Sequence, residues 1–186
     1  MRGLLPEALN LIVLSHKYMI KRILMAAIAA TATILPVGAE VQPGTSSLLD
    51  TMSSNGILIT VNHTECSTGT YNGQYRWLGF QREMRLCPGH TVDARDHETV
   101  RHETIHAIQH CINVARGTST DTPIIEDPEV FKEFVKANLS PEMVEWVMST
   151  YDESQWLTEL EAFAGAKAFT SSELEELFLE TCTLNS

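Results

Sequence analysis

The sequence predicts an α+β domain: a small, largely antiparallel sheet first, then one long helix, then a helical second half. Three observations carry this prediction. Residues 56–62 (GILITVN) are dense in β-branched side chains, and residues 75–87 alternate as strands do. The stretch from about Asp93 to Gly117 repeats apolar residues at helical spacing. Beyond it, Asp127-Pro128 and Ser140-Pro141 each set a capping side chain before a proline suited to the first helical turn. Strands followed by helices is the order of an α+β domain.

Residues 1–39 stand apart from that domain. Lys21 and Arg22 precede an apolar, alanine-rich run from Ile23 to Val37, and Gly38 and Ala39 supply small residues before Glu40. A basic flank, an apolar stretch and a small-residue cleavage site describe a secretory signal peptide, with Met19 an alternative start. The run is short for a membrane span, and Pro36 breaks it near its end. The expectation is an exported protein, secreted or periplasmic, whose mature domain is residues 40–186.

In the mature domain, Asn72-Gly73 marks a tight turn between strands, and Asp93 or Asp96 can cap the long helix, which Gly117 ends. Residues 118–122 form a polar loop. Further helices are expected over residues 128–139, 141–151 and about 153–169, and a last one capped by Ser171 and ending near Cys182. With 44% hydrophobic and 20% charged residues, one core can form.

The whole chain carries a net charge of −11. Without residues 1–39 it loses Arg2, Lys17, Lys21, Arg22 and Glu7, leaving nine basic and 23 acidic residues and a net charge of −14. Such a surface argues against nucleic acid or an anionic membrane as partner. The four cysteines, an even number in an exported chain, suggest two disulfides. Four cysteines permit three connectivities. Cys66–Cys87 and Cys111–Cys182 are favoured, the second tying the last helix to the long one. No CxxC spacing favours a four-cysteine zinc site.

The chemistry concentrates in the long helix. His102, Glu103, Thr104, Ile105 and His106 read HETIH, an HExxH pattern. Residues four apart share a helix face, so both imidazoles can point at one ion. Glu103, about 100° round the helix from His102, sits beside that ion, where it can deprotonate a water. His102, His106, Gln109 and His110 share one face, while Val100, Ile105, Ala107, Ile108, Cys111 and Ile112 form the apolar back.

A catalytic zinc takes three protein ligands and leaves a position open. The metzincin pattern continues HExxH with a glycine and a third histidine. Here those positions hold Gln109 and Ile112, which excludes that family. His110 lies a turn past His106 and drifts away from a shared ion. It suits a supporting or solvated role. The stretch WLTELEAFA resembles the glutamate helix of the gluzincins, in which the ligand often precedes an alanine by three residues. Glu159 before Ala162 and Glu161 before Ala164 both fit, and Glu159 also resembles the WLxE context of the aminopeptidase branch, although its spacing from His106 differs from that branch. The two glutamates lie about 200° apart on a helix, so at most one faces the metal. Glu159 is favoured. HETIHA is also similar to HExxHA segments of several small zincins.

The gluzincin resemblance implies a zincin-like fold binding Zn2+ through His102, His106 and Glu159, with Glu103 as general base of a metallopeptidase. Tyr151 and His110 are candidate oxyanion donors, and a strand near residues 75–80 would pair with an extended substrate. The expected state is a monomer acting on peptide or protein, without stable membrane insertion after cleavage. Two other readings stay open. One is a disulfide-stapled exported binding module with a structural metal or none. The other is a metal-dependent hydrolase of non-peptide substrates, since HExxH fixes water activation and not substrate.

Overall fold

A computed structural model describes residues 44–61, 66, 71–79, 81–87, 94–118 and 122–183. The expected signal segment lies outside these residues, as do Asp93, the side chain of Asp96 and most of the 118–122 loop. The first described element is a helix the sequence did not predict, α1 (Thr45–Ser54). Gly44 precedes it without a side-chain cap, and Leu48 and Met52, four apart and fully buried, anchor it to the core.

Three strands follow: β1 (Ile57–Val61), β2 (Gly73–Leu78) and β3 (Gln81–Leu86), in the spatial order β1-β3-β2. β3 runs antiparallel to β2 and parallel to β1. The expected antiparallel sheet is therefore corrected to a mixed one. Residues 62–72 between β1 and β2 make too long a connection for a hairpin, so the chain crosses over and returns with β3 in the middle. The turn expected at Asn72-Gly73 is also displaced. Gly73 is the first residue of β2, and the reversal falls after Leu78, at Gly79, whose φ of 76° suits a tight turn. Cys66, in the crossover, is bonded to Cys87 at the end of β3, the pairing the sequence favoured.

Helix α2 (Ala94–Arg116) carries HETIH. It stops at Gly117 (φ 71°), where Gly117 N–H donates to Val114 O at 3.0 Å and Thr118 N–H to Asn113 O at 2.9 Å, a Schellman closure. Helix α3 (Pro128–Asn138) is capped by Asp127, which accepts from the amides of Glu129 and Val130, and α4 (Pro141–Thr150) by Ser140. A 3-10 turn (Glu153–Gln155) leads into α5 (Trp156–Ala168). Helix α6 (Ser171–Cys182) is capped not by Ser171 but by Thr170, in a capping box with Glu173. Ser171, one residue inside the helix, is buried against Thr45.

These elements enclose one apolar core, with α2 packed on by α1, β2, β3, α5 and α6. Ile105, Ile108 and Ile112 form its apolar back, and Cys111 is disulfide-bonded to Cys182 of α6. The opposite face of α2 is polar but not solvated: His102, Glu103, Gln109 and His110 are all buried. Among the described residues no helix is long and apolar enough to cross a membrane.

Candidate metal centre

Helix α5 lays its first two turns against the histidines of α2, and small residues permit the approach. A Cβ at Gly165 would fall on Ile105 Cδ1 of α2. Arg101 Nε donates to Ala166 O at 2.8 Å, and the Phe163 ring lies 4.2 Å from that of His102, centroid to centroid.

This packing brings His102, His106 and Glu159 together as a group that can hold a metal ion. The Nε2 atoms of the histidines are 3.1 Å apart. Glu159 turns Oε2 to His102 Nε2 at 3.4 Å and Oε1 to His106 Nε2 at 3.5 Å. Both carboxylate contacts are longer than good N–H···O bonds, which end near about 3.2 Å. Ligand atoms at about 2.0–2.1 Å from a tetrahedral ion stand about 3.3–3.5 Å from one another. The two carboxylate contacts match such spacings and the histidine pair is slightly closer; with His102 and Glu159 buried, His106 half-buried and Glu159 Oε2 lacking a hydrogen-bond partner among the described residues, the group suits a cation between its donors.

The electrostatics agree. Burial pulls the His106 imidazolium down, but the Glu159 carboxylate and the charge of Glu103 outweigh it and hold the group up at about 9. Burial likewise pushes Glu159 up, and the two imidazoles overcome it, holding the carboxylate down at about 2. The pocket thus favours a positive charge at its centre, whether proton or metal.

Glu103 is not one of the converging donors. It lies beside them, with Oε2 accepting the Tyr75 N–H of β2 at 2.6 Å. Burial raises its pKa, against the pull of both imidazoles and the Tyr75 amide. Gly73 makes this approach possible, because a Cβ there would stand 2.5 Å from Thr99 Cγ2 and 2.9 Å from both Cγ and Oε1 of Glu103. Among the described residues β2 is an edge strand, and one of its outward amides serves Glu103.

The two glutamates of α5 part as helical rotation requires. Glu159 joins the histidines; Glu161 turns to the other side and accepts from the amides of Ile124 at 2.7 Å and Ile125 at 2.8 Å and from Gln109 Nε2 at 2.9 Å. Glu161 is buried; burial raises its pKa, and the three N–H donors oppose that shift. Of the two oxyanion candidates, Tyr151 reaches the site. Burial raises its pKa, as do the nearby charges of Glu159 and Glu103, so the phenol stays protonated. His110 instead packs against Trp77, with ring centroids 4.8 Å apart, and against Tyr75.

Sequence patterns missed the contributions of Gly73, the Tyr75 amide and Phe163. A backbone amide carries no side-chain signal, and Phe163 reads as a core residue of α5. Comparison with models of protein families, with curated proteins and with solved structures gives no match.

Proposed function

We propose that this chain is an exported zinc metallopeptidase of gluzincin type. The observation that carries the reading is the convergence of His102, His106 and Glu159, with ligand atoms 3.1–3.5 Å apart, close to the spacing of a tetrahedral site, and Glu103 buried alongside. Zinc held there would supply a Lewis acid that polarises a carbonyl and acidifies a water. Glu103 is the general base: burial raises its affinity for a proton, and the Tyr75 amide fixes one oxygen, so it accepts the water's proton and returns it to the leaving amine. Tyr151, kept protonated beside Glu159, donates a hydrogen bond to the developing oxyanion.

Export rests on the signal-like residues 1–39, and the two disulfides support an oxidising compartment. Trp146, half exposed, packs against Phe163, which lies on His102, and gives the surroundings of the centre an apolar character that suits peptide side chains. Glu103→Gln tests the reading: zinc binding is retained and hydrolysis of denatured casein falls by on the order of 10²–10⁴-fold. A variant as active as its parent removes Glu103 from the reaction. A parent that binds zinc and cleaves no peptide leaves the binding module or a non-peptide hydrolase.

A further inference from the structure

Behind His106 lies a run of hydrogen bonds whose polarity can be assigned donor by donor. Glu161 Oε2 accepts from Ile124 N–H and its Oε1 from Ile125 N–H. One group of the Gln109 amide faces both Glu161 Oε2 at 2.9 Å and the Thr158 carbonyl at 3.1 Å. A backbone carbonyl can only accept, so that group is the amide nitrogen. Gln109 is fully buried, so no solvent competes for its orientation. Its Oε1 is left to face His106 Nδ1, at 2.8 Å. A carbonyl oxygen only accepts, so Nδ1 carries the proton. The lone pair of the neutral ring then lies on Nε2, the atom that faces His102 and Glu159.

We infer that Gln109 and Glu161 are positioning residues that fix the tautomer and ring orientation of His106 and so set the affinity of the centre for its metal. Neither touches the ion's position. Glu161 acts through Gln109, and Gln109 acts through His106. The anchor of the run is the backbone at Ile124 and Ile125, so the segment after α2 braces the centre from behind. The arrangement also assigns the paired glutamates of α5 complementary tasks: Glu159 faces the ion, and Glu161 orients a histidine that faces it. The inference rests on the metal-centre reading above.

The test uses the full chain, with Zn2+ as the probe and a chromophoric chelator as competitor. Gln109→Met removes the acceptor at similar size, and Glu161→Gln sets an amide donor against at least one of the donors Glu161 now accepts. Each variant is expected to bind zinc more weakly by roughly 10–100-fold, while Thr170→Ala, which removes a cap far from the centre, binds as the parent does. In the zinc-loaded parent, 15N spectra should show His106 protonated at Nδ1 and bound through Nε2, and this signature should be lost or mixed in the variants. Unchanged affinity in both variants, or a parent His106 bound through Nδ1, overturns the proposal. Should Gln109→Met fail to fold, Glu161→Gln and the parent spectrum decide it. A parent that takes up no zinc sinks the metal-centre reading, and the positioning pair with it.

Discussion

The backbone N–H of Tyr75 donates to Oε2 of Glu103 at 2.6 Å, which makes the outward side of β2 a clamp on the side chain that sits beside the three converging donors. Amide and carboxylate belong to elements far apart in sequence, and their meeting depends on Gly73 carrying no side chain. The sheet, small as it is, thus shapes the site rather than merely bordering it.

Gly73→Ala puts a methyl group 2.5 Å from Thr99 Cγ2 and 2.9 Å from Glu103 Cγ and Oε1. The side chains of Thr99 and Glu103 must both give, and with the carboxylate displaced kcat for peptide hydrolysis should fall by on the order of 10²-fold, as for a misplaced catalytic group. Zinc affinity should hold, because His102, His106 and Glu159 are not displaced. Steady-state kinetics and zinc titration of one preparation check both parts. A variant with normal kcat contradicts the clamp.

Gly165→Ala drives a Cβ onto Ile105 Cδ1 where α5 crosses α2. Overpacking of this kind costs about 1–3 kcal/mol. Because α5 also carries Glu159, zinc binding should weaken together with stability. Adding Ile105→Val removes the clashing Cδ1 and should restore much of both, measured by urea denaturation and zinc titration.

The Cys111–Cys182 bond closes a loop with a sequence separation of 71, against 21 for Cys66–Cys87. Loop entropy assigns the longer closure roughly 4 kcal/mol and the shorter roughly 3 kcal/mol. Replacing Cys111 and Cys182 together by alanine should lower the unfolding free energy more than replacing Cys66 and Cys87. Urea midpoints at equal m-value report the difference.

Much of this architecture is legible in the sequence because its signals are local. Proline after a capping residue marks α3 and α4, Gly117 marks the end of α2, and HETIH marks its ligand face. Glu159 is legible through a short motif and helical rotation. What escaped is non-local. Helix α1 shows little beyond Leu48 and Met52, since its burial depends on α6 and the sheet. The parallel pairing of β1 with β3 is set by a crossover, which no strand pattern records. The burial of Gln109 and His110 follows from α5 and β2 closing over a face that reads as polar and exposed. Glu161 shares with Glu159 the alanine three residues on, and what its own carboxylate does instead was not legible, because the Ile124 and Ile125 amides that hold it lie on another segment.

The central claim is that His102, His106 and Glu159 bind one zinc ion, and metal analysis of the purified full chain after zinc loading and exhaustive dialysis tests it most directly. The account predicts one equivalent of zinc per chain in the parent and a marked loss in Glu159→Ala. A parent without stoichiometric zinc, or a Glu159→Ala chain that holds it as firmly as the parent, would contradict the account.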